Sequence, residues 1–439
     1  MLKCGAAERV VTPPLGLNIP SCMVPRYSTG IKNDLYTHAL VADDGERLTV
    51  WITIDNAGLG PVFSDAVREA LHEAIGVDPE AVMVSATHIH TGGPQLMEAF
   101  WGQKMDLAVN ELFLKQTVAA AVAAYEKRVP VTVHYGSTQE KRISFCRNYR
   151  LKDGTVRSNP GRRRASEIDG PASEIDTTVG VLRFDDENGK PIAEVVNFGC
   201  HPDTVGGTEY CSDFPGAMRR YLKEVHGEDL TVLFFNGFSG NINHVDALRP
   251  LTDPEFVRYP KDHYEYMGWL LANDVLDVEK NNMKDCCGNG TVGVAVKRFR
   301  APRRQPTQED VDKANYALAN PEAVSGVELA FARETLRLLQ QPKKTEIVEI
   351  QALRIGDAVI VGFPGEPFSD MGLALRARSP YANLMLSELA NQEFGYFATE
   401  PAFSANIYEA RFPIACFELS VLDRMLDEAE GLLNKLHND

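Results

Sequence analysis

The stretch Val82-Met-Val-Ser-Ala-Thr-His-Ile-His-Thr-Gly-Gly-Pro94 guides the interpretation of the whole chain. Its apolar first part predicts a buried strand, and its second part carries His88 and His90 into a glycine-rich loop. If the extended backbone continued, the two imidazoles would point to the same face, as residues two apart in a strand do. Imidazole is the commonest metal ligand among side chains, so the stretch indicates either a metal site or a hydrogen-bonded histidine pair.

Strand and helix patterns alternate along most of the 439 residues. Hairpins with glycine turns are predicted for residues 38–54 and 178–198, and further strands for 129–135, 230–235, 291–298 and both sides of Ile355-Gly-Asp357. Helices are predicted over 63–76, 110–125, 214–225, 254–279, 308–339 with a break at Pro321, and 418–436. The sequence therefore predicts one large mixed α/β domain over residues 1–439, with twisted sheets, flanking helices and a site at strand ends.

Composition narrows the possible partners and compartment. The formal net charge of −16 disfavours nucleic acid and anionic bilayers, because both would be repelled by the protein's own field. No window holds the roughly eighteen apolar residues of a membrane span, the N-terminus has no apolar signal region, and the eight cysteines show no Cys-x-x-Cys spacing. We therefore expect a cytoplasmic protein without stable membrane insertion. The oligomeric state is left open.

Two arginine clusters are local exceptions to the acidic composition. Arg162, Arg163 and Arg164 are consecutive, and Arg303 and Arg304 follow a proline. Such runs are usually solvated loop, and the alternative is that they bind an anion.

Four further segments follow the same pattern of an apolar strand that ends in a tight polar loop. They carry His201, Glu366, Tyr396 and Ser239. A carboxylate at a strand end could bind a metal or act as a general base, although Glu366 could equally cap the helix predicted just after it. By residue type alone, Tyr396 is expected in the core. Ser239 lacks the glycine spacing of a nucleophile elbow, so a serine hydrolase is a minor alternative.

Two histidines and a glutamate at strand ends have the composition of a catalytic zinc site, in which three protein ligands leave one position open for water. Zinc would lower the pKa of that water towards neutrality and polarise the carbonyl under attack. Water would then be the nucleophile, and no serine would be required.

Five motifs in sequence order resemble the catalytic domain of the neutral/alkaline ceramidases. They are Thr87-His-Ile-His-Thr-Gly-Gly-Pro94, Asn197-Phe-Gly-Cys-His-Pro202, Asn236-Gly-Phe-Ser-Gly-Asn-Ile-Asn243, Pro364-Gly-Glu-Pro-Phe368 and Gly395-Tyr-Phe-Ala-Thr399. The similarity extends from the Ala6-Ala-Glu-Arg-Val-Val-Thr-Pro13 opening to Tyr408-Glu-Ala-Arg411. Enzymes of this family are zinc amidohydrolases that cleave the N-acyl bond of ceramide into sphingosine and fatty acid.

The resemblance implies a site for one Zn²⁺ ion and a set of groups that act on the substrate. The implied zinc ligands are His88, His201, Glu366 and Tyr396. The implied catalytic residues are His90, which would face the substrate, Arg147, which would contact it, and Tyr408, which would hydrogen-bond a developing oxyanion. For Arg147, an ordinary hairpin arginine is the alternative.

The chain departs from the family in three respects. Asn243 stands where the ceramidase Gly-Asp-Val-Ser-Pro motif has its serine, so no mechanism through that serine is available. No C-terminal immunoglobulin-like domain is expected, since the chain ends just after its last predicted helix. No export signal is found either. The mechanism through water does not need that serine, and the other two departures bear on whether the substrate is a lipid more than on the reaction.

The sequence therefore predicts a zinc-dependent hydrolase of an amide bond that uses metal-activated water. The substrate would be a small-molecule or lipid-like amide, and an arginine-rich loop would suit an anionic one. The alternatives are a zinc-dependent esterase or lactonase on a small acyl substrate, and a non-catalytic ligand-binding relative. The sequence assigns no role to His244 or Asp246, and a second metal ion at His244 is a further hypothesis.

Overall fold

The computed structural model describes residues 1–19, 25–97, 99–100, 103–249, 262–288 and 290–439. Its strands are β1 (Lys3–Val10), β2 (Gly30–Ile31), β3 (Tyr36–Asp43), β4 (Leu48–Ile54), β5 (Val82–Ala86), β6 (Ala99–Phe100), β7 (Gln103–Lys104), β8 (Val129–Pro130), β9 (Thr132–Gln139), β10 (Phe145–Cys146), β11 (Asn148–Leu151), β12 (Val156–Ser158), β13 (Ile168–Pro171), β14 (Thr178–Asp185), β15 (Pro191–Phe198), β16 (Glu209–Tyr210), β17 (Thr231–Asn236), β18 (Ile242–Asn243), β19 (Lys284–Asp285), β20 (Val292–Pro302), β21 (Thr345–Ile355), β22 (Ala358–Gly362), β23 (Glu366–Pro367), β24 (Asn383–Ser387) and β25 (Tyr396–Phe397). Its α-helices are α1 (Pro61–Ile75), α2 (Leu107–Glu126), α3 (Asp213–His226), α4 (His263–Asn281), α5 (Gln308–Ala319), α6 (Gly326–Gln340), α7 (Ser369–Arg378), α8 (Glu400–Ser404) and α9 (Ser420–Asn438).

Three mixed sheets form the framework. Their strand orders are β5-β4-β3-β1-β8 in the first sheet, β17-β15-β14-β9-β19 in the second and β20-β21-β22-β24 in the third. Each sheet contains one parallel pair at its edge, namely β4 with β5, β15 with β17, and β22 with β24. Because the strands of a parallel pair run in the same direction, the loops that follow them leave from the same end of the sheet.

All three sheets pack on one central apolar core. Trp51, Phe235 and Met385 represent the first, second and third sheets in it. Helices cover the opposite faces, with α1 and α2 on the first sheet, α3 and α4 on the second, and α7 and α9 on the third. In β4, Trp51 points to the central core while Val50 and Ile52 point to the helices. Burial on both faces explains why this run is apolar throughout instead of alternating with polar residues.

Hydrogen bonds join the parallel pairs of different sheets to one another. The side chain of Asn197 in β15 donates to the Phe235 and Leu386 carbonyl oxygens at 2.9 and 2.6 Å and accepts from the Leu386 amide at 3.0 Å. The hydroxyl groups of Ser85 and Ser387 lie 2.8 Å apart and join β5 to β24. These buried contacts bring the carboxyl ends of the three parallel pairs together.

The predicted fold class is confirmed, with one strand assigned wrongly. Both predicted hairpins form, as β3–β4 and β14–β15, and the helical stretch over 308–339 breaks at Pro321 as expected. The single strand predicted over 129–135 is two strands, because β8 pairs with β1 in the first sheet while β9 pairs with β14 in the second. Pro130 has no amide hydrogen to continue the first ladder. Of the helix predicted over 254–279, α4 begins at His263 and residues 254–261 lie outside the described residues.

Helix α2 is the one helix in the described part that is long and apolar enough to cross a membrane by length and composition. Its Val109 and Phe113 pack in the core between the first sheet and α1. It lies so close to β1 that a Cβ at Gly5 would be 2.1 Å from the Ala124 carbonyl oxygen. Packing on the sheet accounts for the apolar composition of this helix.

Candidate metal centre and active site

A cavity of about 380 Å³ opens where the loops after the parallel pairs meet. All seven residues predicted as zinc ligands or catalytic groups line it: His88, His90, Arg147, His201, Glu366, Tyr396 and Tyr408. They come from loops or short strands that follow β5, β10, β15, β22 and β24 and from the short 3₁₀ helix Tyr408–Ala410. The expected location at strand ends is therefore what the structure shows.

His88 reaches the cavity through a left-handed turn, not through continued strand geometry. Strand β5 ends at Ala86, and His88 has a φ of 69°. The expectation that an extended backbone aligns His88 with His90 is wrong. The loop then turns back against Asn56, where a Cβ on Gly92 would lie 2.8 Å from the Asn56 Cα. A left-handed backbone at a non-glycine residue costs energy, and such strain concentrates at functional sites.

Three polar atoms form a close triangle in the cavity wall. His88 Nε2 lies 3.1 Å from His201 Nε2, and Glu366 Oε2 lies 3.4 Å from the first and 3.6 Å from the second. Glu366 Oε2 is buried and has no hydrogen-bond partner among the described residues. The side chain that could have capped helix α7 is thus turned into the cavity, and α7 has no side-chain cap.

The hydrogen bonds behind the two imidazoles indicate that their lone pairs face each other. His88 Nδ1 lies 2.7 Å from the Ala57 carbonyl oxygen, which needs a donor. His201 Nδ1 lies 3.4 Å from both the carbonyl and the hydroxyl oxygen of Ser239. With the ring protons on Nδ1, both Nε2 atoms are acceptors, and two acceptors at 3.1 Å repel unless a cation lies between them.

Either a proton or a metal ion could supply that positive charge. Burial lowers the pKa of His88, but the Glu366 carboxylate outweighs it and raises that pKa to about 9. Burial would raise the pKa of Glu366, but His88 holds it at about 2. Ligands of a four-coordinate zinc ion, at about 2.0–2.2 Å from the metal, lie about 3.3–3.5 Å apart, which matches the triangle. The site thus contains a His/Glu group that could hold a metal ion.

Tyr396 and His90 lie on either side of this triangle. Tyr396 is paired with Glu366 in the β23–β25 ladder, and the Arg147 guanidinium lies 5.1 Å from its ring centre. His90 Nε2 lies 3.5 Å from His88 Nε2, so three imidazole nitrogens cluster within metal-binding range. Burial, together with the charge of the nearby His88, lowers the pKa of His90 to about 4. His90 is therefore a neutral imidazole near pH 7.

Arg147 and Tyr408 also line the cavity and are fixed by buried partners. Arg147 Nε donates to Glu409 Oε1 at 2.6 Å, and both side chains are buried. The Tyr408 ring is stacked on Phe331 of helix α6 with 5.9 Å between ring centres. Burial raises the pKa of Tyr408 above its usual value, so the hydroxyl keeps its proton. A buried cation and a hydroxyl donor thus line the same cavity as the triangle.

Several residues of the site were not singled out from the sequence. Asp203 lines the cavity and accepts a hydrogen bond from His244 Nδ1 at 3.0 Å, which gives His244 a partner other than a metal. Glu393 also lines the cavity, and Glu388 lies behind it. Both glutamates follow the apolar strand β24, so the pattern of a strand and then a polar loop could have found them.

Ser239 lies behind His201 and not in the cavity lining. Its hydroxyl donates to Glu388 Oε1 at 2.7 Å, and its amide donates to Glu388 Oε2 at 2.7 Å. Burial raises the pKa of Glu388 to about 8. Ser239 is completely buried, which argues against a serine nucleophile and for a role in orienting His201.

The arginine clusters also divide between the cavity and the rest of the molecule. Arg303 lines the cavity, as do Glu334 and Arg337 of helix α6, whereas Arg304 donates to backbone carbonyl oxygens. Residues 162–164 lie in a 3₁₀ helix and are not among the described residues that line the cavity. The α5–α6 hairpin, inserted between the paired strands β20 and β21, therefore supplies part of the cavity wall.

The fold and site described so far are those of a mixed α/β protein with a histidine–glutamate centre at its strand ends. The structure of neutral ceramidase from Pseudomonas aeruginosa matches 99% of this chain with a TM-score of 0.72, at 18% sequence identity and over 75% of that chain. A structure of a ceramidase complexed with C2 matches 100% of this chain with a TM-score of 0.73, at 17% identity and over 75% of that chain. No family model matches the chain. The chain thus has the neutral ceramidase fold, and the resemblance drawn from the five motifs is confirmed at that level.

Proposed function

We propose that this protein is a zinc-dependent hydrolase that cleaves the amide bond of an N-acyl substrate with water as the nucleophile. The observation that carries the proposal is the triangle of His88 Nε2, His201 Nε2 and Glu366 Oε2, with sides of 3.1, 3.4 and 3.6 Å. We assign Tyr396 as the fourth ligand from its pairing with Glu366 and its place in the cavity wall. The likeness of the fold to neutral ceramidase supports an amide as the bond that is cleaved.

A zinc ion held by these residues would lower the pKa of water and polarise the acyl carbonyl. His90 is the group proposed to move protons. As a neutral imidazole with a pKa of about 4, it can accept a proton during attack and donate it to the departing nitrogen. The low pKa means that His90 does not hold that proton at rest near pH 7.

Tyr408 and Arg147 are the groups proposed to stabilise the acyl oxygen as negative charge develops on it. The raised pKa of Tyr408 keeps its hydroxyl a hydrogen-bond donor. Arg147 stays charged, because Tyr396 and Glu409 outweigh the effect of burial and raise its pKa further. Its buried ion pair with Glu409, at 2.6 Å, fixes the guanidinium.

The cavity itself constrains the substrate class. Its volume of about 380 Å³ lies within the range of small-molecule sites, roughly 300–1,000 Å³. The lining combines arginines with apolar side chains such as Met97, Phe394 and Ile414. We propose an N-acyl amide whose reacting group and immediate neighbours are held in the cavity, with any longer chain outside it.

Metal analysis and an amide hydrolysis assay on the same preparations test the proposal. His88→Ala and Glu366→Gln are each expected to contain one zinc fewer per chain than the wild type and to lose hydrolysis of N-acyl amides. His437→Ala, which changes an exposed histidine at the end of α9, is the control and should keep both. Unchanged metal content in both cavity variants would contradict the ligand assignment.

The leaving group is tested with matched pairs of substrates. Each pair has the same acyl group, joined to an amine in one compound and to an alcohol in the other. We expect the amine to be released and the release to stop with chelator. Cleavage of the esters alone would favour the esterase or lactonase alternative, and cleavage of neither, with zinc bound, would favour a ligand-binding role.

A further inference from the structure

A second cluster of metal-ligand side chains lies at the other end of strand β15 from the cavity. Glu194 is in β15, His226 is the last residue of α3, and Glu279 is in the last turn of α4. One ligand atom from each lies within 4.8 Å of the others. Strand β15 runs on from Glu194 to Phe198, four residues and roughly 13 Å towards the cavity, so the cluster does not belong to the active site.

The distances within the cluster lie near those between ligands of a shared cation. His226 Nε2 lies 3.0 and 3.2 Å from the two carboxylate oxygens of Glu279 and 3.8 Å from Glu194 Oε1. Ligands about 2.0–2.2 Å from a four-coordinate ion are about 3.3–3.5 Å apart, so a bound ion would draw Glu194 slightly inward and move Glu279 slightly outward. One imidazole and two carboxylates form a donor set that suits Zn²⁺ or Mn²⁺ better than the all-oxygen set preferred by Ca²⁺.

Glu194 is the observation that points to a ligand. Its side chain is completely buried, and neither of its carboxylate oxygens has a hydrogen-bond partner among the described residues. Buried carboxylates are normally hydrogen-bonded or paired, since desolvation of an unpaired charge costs several kcal/mol. An unpartnered carboxylate directed at His226 and Glu279 therefore needs an explanation.

The charges around the cluster favour a divalent cation. Arg183, opposite Glu194 on β14, donates to Asp185 at 2.8 Å and contacts Glu279 Oε2 at 3.1 Å. His134 Nδ1 lies 3.1 Å from Asp185 Oδ2, and His226 contacts Glu279. While both imidazoles are neutral, one arginine against the carboxylates of Asp185, Glu194 and Glu279 leaves two negative charges uncompensated. The carboxyl ends of α3 and α4 both lie at the cluster, and the helix dipole favours positive charge there.

We propose that Glu194, His226 and Glu279 bind a divalent transition-metal ion that ties β15 to the ends of α3 and α4. Arg183 contacts Glu279 Oε2 at 3.1 Å, and His226 Nε2 lies 3.0 Å from the same oxygen, so Glu279 Oε1 is the oxygen left for the ion. The rival arrangement is a proton on Glu194 that is shared with Glu279, since burial and the charge of Glu279 raise the pKa of Glu194.

Titration of the chelator-treated protein with Zn²⁺ tests the site. The wild type is expected to bind one equivalent more than Glu194→Gln and His226→Gln, and both variants should keep amide hydrolysis at the wild-type rate. Glu194→Gln is the discriminating change, because glutamine imitates a protonated carboxyl. Equal zinc stoichiometry in the wild type and both variants would overturn the metal site and leave the shared proton.

Anomalous scattering from wild-type crystals soaked in Mn²⁺ gives a readout that does not depend on variants folding. A peak between Glu194, His226 and Glu279 is expected, and its absence at full occupancy of the active-site peak would refute the proposal. For the zinc titration, the matched control is Glu309→Gln, which changes an exposed glutamate in α5. It should change neither the number of zinc equivalents bound nor the stability of the protein.

Discussion

Two buried polar centres, one between helix α1 and strand β21 and one among the loops that follow the parallel pairs, are built in opposite ways. At the first, Arg68 donates to Glu349 Oε1 at 2.7 Å and to the Val82 carbonyl oxygen at 3.1 Å. Asn391 donates to both Glu349 and Gln351, at 3.0 and 2.8 Å. At the second centre, His88, His201 and Glu366 direct acceptor atoms at one another without a donor between them. Nearly equal cavities, about 370 and 380 Å³, lie beside the two.

The difference supports the proposal that the cavity beside His88 is the functional one. The two cavities have nearly the same volume, but they differ in whether the buried polar atoms beside them have hydrogen-bond partners. In the Arg68 network donors and acceptors are matched, which is how a buried polar group contributes to structure. At the His88 site, the hydrogen-bond partners lie behind the imidazoles, at the Nδ1 atoms of His88 and His201. The atoms that point into the cavity, the two Nε2 atoms and Glu366 Oε2, remain available to bind a metal ion or a proton. We therefore expect substitutions at the two centres to separate stability from activity.

The largest expected effect is that of Glu366→Gln on activity. Loss of a ligand should remove a contribution of several kcal/mol to transition-state stabilisation, so kcat/KM should fall by at least about 1,000-fold. Steady-state kinetics with an N-acyl amide and zinc analysis measure this. The change in the free energy of unfolding should be smaller than that for the Arg68 variant below. A variant that keeps its activity would remove the contrast between the two centres.

Arg68→Ala should act on stability instead. Removing the guanidinium leaves Glu349 without its main buried partner, which should lower the free energy of unfolding by about 3–5 kcal/mol. Urea unfolding followed by circular dichroism measures the loss, and zinc content per folded chain should be unchanged. Arg300→Ala, on an exposed arginine beside the same cavity, is the control and should shift stability by less than about 0.5 kcal/mol.

Tyr408→Phe sharpens the comparison within the active site. If the hydroxyl stabilises charge on the acyl oxygen, its removal should lower kcat/KM by about 100- to 1,000-fold, as for other single oxyanion donors. The ring, its stacking on Phe331 and the zinc content should be preserved. An unchanged rate would show that the hydroxyl points at no developing charge.

Ser239→Ala should have the smallest effect of the four. As a partner of His201 Nδ1 and Glu388, the hydroxyl should contribute about 10- to 100-fold to zinc affinity or activity. Competition of the variant with a zinc chelator measures the affinity. Complete loss of activity with zinc still bound would instead favour the serine nucleophile that its burial argues against.

Much of the site could be predicted from the sequence because its residues share a local signature. His88, His201, Glu366 and Tyr396 each follow an apolar strand in a tight loop, and parallel strands bring such ends together. Their precise roles came from a resemblance between motifs and remain predictions. The left-handed turn at His88 could not be predicted, since it depends on the packing of Gly92 against Asn56.

Features that depend on how distant segments pack together were not predicted from the sequence. The consecutive arginines at 162–164 are prominent in the sequence and lie outside the described lining, while Arg337 is inconspicuous and lines the cavity. The cluster of Glu194, His226 and Glu279 joins three elements that carry no shared motif. The crossing between sheets at Val131 was hidden because an apolar run continues through it. Sequence patterns describe single segments, and these features arise between segments.

The α5–α6 hairpin has a consequence for how such proteins diversify. It leaves the third sheet after β20 and returns at β21, and the two strands are paired along their whole length without it. Natural selection could therefore lengthen, shorten or replace this excursion while the register of the sheet is preserved. Because Phe331, Glu334 and Arg337 travel with it, one exchange would alter both the support of Tyr408 and the wall that a substrate meets.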